Sequence, residues 1–263
     1  MVACRLTVPE AAVSEPQEPY VWDRVDDTED PDEMVTVQQD LERWPVVRAY
    51  RERMRELVGG GRALDVGAGP GGETTYVGVD NSMAMARRAY DRGRVAVVAD
   101  AGRLPFAAGS FDAVRADRVL QHVPDPDTAL AEATRVVRPG GRLVFADPDQ
   151  STLTIEAEPV GVRSGAALVA EVVAFRRRSI RNPDLAGRLA GRLTALGLVD
   201  VVSDAYRLVL TDPALAFGVT GWGELIEAAG RITAAERAAW EAALHGPFRY
   251  EVSYVVTAAR RAG

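Results

Sequence analysis

Lysine is absent: all 31 basic residues of this 263-residue chain are arginine. That excludes a lysine-dependent phosphate loop, a Schiff-base lysine and any lysine nucleophile. Cysteine is almost absent too. A lone Cys4 leaves no disulfide, cysteine-rich zinc site or iron–sulfur cluster. Only two histidines occur, His122 and His245, so no histidine metal cluster and no metal are expected. Positive charge is in deficit. The net charge is −7, whereas a nucleic-acid partner requires clustered cations to meet phosphates. No apolar run approaches the roughly 20 residues of a membrane span, and the opening residues lack a secretory-signal pattern. With 47% apolar residues the chain can still bury a sizeable core. The expectation is a soluble, cytoplasmic, cofactor-using enzyme whose partner is a small molecule.

What is present is concentrated in Arg62–Gly72 (RALDVGAGPGG). An apolar run, Ala63, Leu64 and Val66, carries an acid at Asp65 and passes into Gly67, Gly69, Gly71 and Gly72. Glycine at this density lets the backbone turn sharply and approach a ligand with no Cβ in the way. Tyr76–Asp80 (YVGVD) is then a second apolar strand ending in a carboxylate, and Val95–Asp100 (VAVVAD) is a third. Phe111–Val114 opens a fourth, and Arg138–Asp147 (RPGGRLVFAD) is a turn followed by a fifth. A glycine turn beside acid-tipped strands points to a nucleotide site beyond the carboxyl ends of an open α/β sheet. Each acid could instead cap the helix that follows it.

These residues resemble the class I S-adenosylmethionine-dependent methyltransferases, specifically over Arg62–Asp147 and more loosely beyond. The resemblance implies an α/β, doubly wound, mostly parallel seven-stranded sheet of Rossmann-like type with a helical cap. It implies S-adenosyl-L-methionine as cofactor. The expected reaction moves a methyl group to an oxygen, nitrogen or carbon of a small, largely apolar molecule in bacterial secondary metabolism. The alternative is a cyclase or other non-methylating natural-product enzyme of the same fold, with the cofactor passive or absent. The cofactor positions implied are Asp65, Gly67, Ala68, Gly69 and Gly71 at the turn, with Asp80 accepting the ribose hydroxyls. Asn81 and Met83 or Met85 follow, Asp100 and Ala101 meet the adenine, and Asp117 or Arg118 lies beside the methionine tail. Either methionine could equally be helix core, and Arg118 could serve a structural ion pair. His122 and Asp147 are the candidates for a catalytic base, and only histidine has an ordinary pKa near neutrality. His122 could otherwise fix the turn before Val123-Pro124-Asp125.

One join departs from the pattern. Only Glu73, Thr74 and Thr75 separate the glycine turn from the second strand. Parallel strands ordinarily need a crossover of a dozen or more residues, usually a helix. Three extended residues reach about 10 Å, short of a typical strand of about 17 Å. The join therefore predicts either a break near Glu73–Tyr76 or a second strand out of its usual register.

Elsewhere the pattern is coarser. Residues 1–60 form an acidic arm, in which Tyr20 and Trp22 are candidate substrate contacts, and a helix with apolar residues from Leu41 to Leu57, broken or restarted at Pro45. Residues 61–210 form the core, with a helix over Thr128–Val137, a loop over Ser151–Pro159 and helices over Ala166–Arg178 and Leu185–Leu196. A sixth strand is read in two pieces, Val199–Val202 and Tyr206–Leu210. The arginines at 176–178 and Arg181 are either a solvated face or an anion site. Residues 211–247 form a helical lid over Leu225–Leu244, with a capping box at Thr233 and Glu236 and Trp222 as a third candidate substrate contact. Its aromatics line a pocket or glue lid to core. Residues 248–263 hold a final strand, Arg249–Thr257.

Overall fold

The computed structural model describes residues 25–27, 41, 44–71, 75–162 and 164–263. Pro45 stands in the first turn of α1 (Pro45–Val58), where a missing N–H costs nothing. Its apolar stripe, Val47, Tyr50, Met54 and Val58, is buried. Gly59 ends it at φ 69°, with its N–H on the Arg55 carbonyl at 3.0 Å.

Seven strands follow: β1 (Ala63–Val66), β2 (Val77–Asp80), β3 (Val95–Val98), β4 (Phe111–Asp117), β5 (Val137–Glu156), β6 (Val199–Leu210) and β7 (Arg249–Arg260). They form one sheet in the order β3-β2-β1-β4-β5-β7-β6. The run from β3 to β5 is parallel. β7 opposes β5, because residue numbers fall along one strand as they rise along the other, from the Gly140–Arg261 pair to the Thr152–Ser253 bond. The helices after α1 are α2 (Met83–Asp91), α3 (Pro126–Val136), α4 (Gly165–Arg178), α5 (Leu185–Ala195), α6 (Val219–Ala228) and α7 (Ala234–Ala243). None of them is long and apolar enough to cross a membrane.

The described residues divide into two compact units. One holds residues up to Asp149, then Arg181–Tyr206 and Tyr254–Gly263; the other holds Gln150–Ile180 and Arg207–Ser253. In the first, strand alternation decides everything. Leu64 and Val66, Val114 and Ala116, and Leu143 and Phe145 turn one way, into a core closed by Leu130 of α3 and Leu189 of α5. Asp65, Arg115 and Asp117 have the opposite parity and turn the other way.

Several expectations need correction. β2 is neither displaced nor irregular: it pairs with β1 in plain parallel register, Leu64 with Val77 through Val66 with Val79. The reach argument had charged the whole return to three residues. Both strands are only four residues long, about 13 Å. The connection is residues 67–76, with an extended reach of about 33 Å. The turn itself makes most of the return, and no helix lies between β1 and β2 among the described residues. The segment Ser151–Pro159 is no loop at its start, since β5 continues to Glu156 with Leu153 and Ile155 buried on alternate positions. β6 is one element, bent near Asp200 at φ 55°. Leu225–Leu244 is two helices rather than one.

Those two helices meet where the capping box was expected. The Thr233 hydroxyl accepts the Glu236 N–H at 3.2 Å, and Glu236 returns to the Thr233 N–H at 2.8 Å. Thr233→Ala should lower the unfolding free energy by about 1 kcal/mol in urea titration. A change near zero would show that α7 does not depend on its cap.

Candidate functional site

The glycine turn is tied to the end of β2. The Ala68 N–H donates to the Val79 carbonyl at 3.0 Å, and the Gly69 N–H donates to Asp80 Oδ2 at 2.8 Å. Gly67 and Gly69 have φ of 64° and 58°, the left-handed region that a side chain would resist. A Cβ on Gly67 would also lie 2.4 Å from Val119 Cγ2, so the loop after β4 sits directly against the turn. From the far side Arg92 donates to the Pro70 carbonyl at 3.1 Å. Gly71 is exposed.

Asp80 ends β2 with its two oxygens divided between the N–H groups of Gly69 and Ser82, the latter at 3.0 Å. Burial pushes its carboxyl up, against the pull of those two donors. Each oxygen keeps a lone pair for a ligand hydroxyl, so the position fits a ribose diol. Asn81 beside it is exposed, Met83 is exposed, and Met85 is buried in the core behind α2. At the end of β3, Asp100 is exposed and takes the Gly102 N–H at 2.6 Å. Ala101 packs on the core edge.

Sequence reasoning missed Asp26. Its carboxylate accepts the Met83 N–H at 2.7 Å, the Ala84 N–H at 3.1 Å and the Ser82 hydroxyl at 2.5 Å. The Ser82 bond, foremost, holds it below the usual carboxylate range. An acid of the arm thus caps α2 immediately after Asp80, and the run Asp23–Glu33 was the only sequence signal for it.

On the α1 face, register places Asp65 beside Arg115, and they form a buried ion pair at 3.0 Å. Asp117, two residues on, accepts the Tyr50 hydroxyl at 2.9 Å and Arg51 Nε at 2.6 Å. Burial alone would raise its carboxyl, but Arg51, Arg118 and Arg115 outweigh that and hold it at about 2. Tyr50 stacks on Tyr254 at 5.2 Å. Asp65 and Asp117 are therefore bound first to arginines of this chain.

His122 lies on the loop after β4, and Asn182 clamps that loop. The Asn182 side-chain amide donates to the carbonyls of Leu120 and Val123, both at 2.9 Å, and its backbone N–H to that of Gln121 at 3.0 Å. Asp147 supports the loop from below, accepting the Gln121 N–H at 3.3 Å. It stands inside β5, not at a strand end, and it is buried. Burial raises its carboxyl to about 8. At neutral pH it is a proton donor within the loop's support.

Trp222 lies in the other unit, 1% exposed, against Phe175 and over the Arg176 guanidinium at 5.6 Å. The neighbouring Arg177 caps the carbonyls of Gln150 and Ser151, so these arginines have local partners. Tyr20 and Trp22 lie outside the described residues. No cluster of acids, histidines or cysteines able to hold a metal occurs among the described residues.

A family model described as "Methyltransferase domain" matches residues 57–145. An uncharacterized 37.1 kDa protein in transposon TN4556 of Streptomyces fradiae is 40% identical over 51% of this chain, and the match spans only 44% of that protein. The demethylmenaquinone methyltransferase of Mycolicibacterium vanbaalenii is 35% identical over 59% of this chain and 75% of its own length. The solved phosphoethanolamine N-methyltransferase 2 of Haemonchus contortus, in complex with S-adenosyl-L-methionine, has a TM-score of 0.56 at 19% identity. That match covers 97% of this chain and 62% of the other; at that identity the likeness is one of fold.

Proposed function

The chain belongs to the class I S-adenosylmethionine-dependent methyltransferases, and from that premise we propose that it methylates an oxygen, nitrogen or carbon atom of a small, largely apolar molecule. The observation that carries this reading is the meeting of three parts at one sheet edge. They are the glycine turn, the half-satisfied Asp80 carboxylate and the loop after β4 that packs on Gly67. When bound, S-adenosylmethionine supplies a methyl carbon on a cationic sulfur.

Asp80 accepts the ribose hydroxyls, and Asp100 with Ala101 meets the adenine. Asp26 fixes the N-terminal turn of α2 that follows Asp80. His122, held by the Asn182 clamp, takes the proton from an acceptor that must lose one. Alignment in a dry site contributes the rest.

The test is formation of S-adenosylhomocysteine with a panel of quinols, phenols and amines. A product formed without S-adenosylhomocysteine would overturn methyl transfer in favour of a non-methylating catalyst of this fold. Two substitutions address the residues. Asp80→Ala should weaken S-adenosylmethionine binding by about 1–3 kcal/mol in calorimetry, the scale of buried hydrogen bonds left unmade; equal affinity would remove Asp80 from the ribose. His122→Ala should slow single-turnover methyl transfer at least about tenfold with unchanged cofactor affinity. An unchanged rate would return His122 to fixing its turn.

A further inference from the structure

We propose that Arg118 receives the carboxylate at the methionine end of the cofactor. The inference rests on the S-adenosylmethionine reading above and goes beyond it to a specific partner.

The glycine turn cannot hold an anion in the ordinary way. The N–H groups of Ala68 and Gly69 are already taken by Val79 and Asp80. Among the described residues no helix follows the turn, so it offers no helix N-terminus with its free amides and partial positive charge. Asp65 is committed to Arg115. A carboxylate arriving over the turn must find its cation elsewhere.

Arg118 is the first residue after β4 and has φ 61°, a left-handed backbone that an arginine adopts only when its surroundings impose it. Two contacts impose it here. Its N–H donates to the Ala146 carbonyl at 2.6 Å, and the next side chain, Val119, is pressed on Gly67. The conformation therefore fixes a guanidinium beside the loop that adjoins the turn.

That guanidinium is largely buried, and its Nε has no hydrogen-bond partner. The nearest acid, Asp117, stands 3.4 Å from Nε, but its oxygens already accept Tyr50 and Arg51 at shorter range. A strained backbone and an unfilled buried donor are poor design for a structural ion pair. They suit a planar fork kept ready for a carboxylate.

The experiment compares two ligands on the full chain. S-adenosylhomocysteine carries the amino-acid end; 5′-methylthioadenosine keeps the adenosine and sulfur and lacks it. Arg118→Met should weaken S-adenosylhomocysteine at least about tenfold by calorimetry and leave 5′-methylthioadenosine within about twofold. Equal loss for both ligands, or no loss for the first, overturns the assignment. Should Arg118→Met fail to fold, Arg118→Lys carries the same comparison, because it keeps the charge and loses the fork. Selective weakening of S-adenosylhomocysteine is again expected, and wild-type affinity for both ligands overturns it. A wild-type protein that binds neither ligand would instead overturn the cofactor reading.

Discussion

Arg115→Leu should lower the unfolding free energy by about 3–5 kcal/mol, the cost of leaving one member of a buried ion pair uncompensated. Asp65 and Arg115 are 2% and 4% exposed, on the two central strands of the sheet. Burial pushes the Asp65 carboxyl up, and the Arg115 guanidinium is the chief influence opposing it. Asp65 Oδ2 has no hydrogen bond of its own, so removing Arg115 would leave that carboxylate with little else. The Arg115 guanidinium also lies 5.5 Å from the centre of the Tyr76 ring, and leucine would forfeit that cation–π attraction. The double variant Asp65→Leu, Arg115→Leu should recover at least half of the loss, because well-packed apolar pairs often replace buried ion pairs without penalty. Urea titration of the parent, the two single variants and the double gives the coupling directly. If the double variant is as unstable as the two single losses added together, the pair is not the source of the effect.

That pair shows where sequence reading stops. Asp65 was legible as an acid in an apolar strand before a glycine turn, and the turn, the acid at Asp80 and the sheet class followed from short-range pattern. Its partner was not legible, because Arg115 lies 50 positions away and meets it only through the register of β1 on β4. Asp117 with α1, and Asn182 with the loop of His122, are hidden for the same reason. The longer β5 is a different case. Ser151, Thr152, Thr154 and Glu156 give Ser151–Pro159 the composition of a loop, yet they alternate with Leu153 and Ile155. Composition masked a period of two that a narrower window would have found. The short join misled by treating the glycine turn as a pause in the chain, although a turn also covers distance.

The last expectation concerns pH. Between pH 4 and pH 8 the parent should lose stability as pH rises, and Asp147→Asn should remove most of that slope. Burial raises the folded carboxyl from 3.8 to about 8. In this window the unfolded chain has released the proton while the folded chain keeps it, so raising pH favours unfolding. The contribution is fully present below about pH 4 and gone above about pH 8, with a slope of at most about 1.4 kcal/mol per pH unit. At pH 7 the variant should therefore exceed the parent by about 3–4 kcal/mol, since asparagine still accepts the Gln121 N–H without a charge to desolvate. Asp117 works the other way in a separate window. Its folded value of about 2 lies below 3.8, so its stabilisation is present above about pH 4 and is lost as pH falls toward 2. Asp147→Asn should leave that acid limb untouched. Unfolding curves at half-unit steps from pH 3 to 9 separate the two limbs. A variant whose stability tracks the parent between pH 4 and 8 would mean that Asp147 is ionised in the folded protein, with a charged partner under the Gln121 loop that stabilises it.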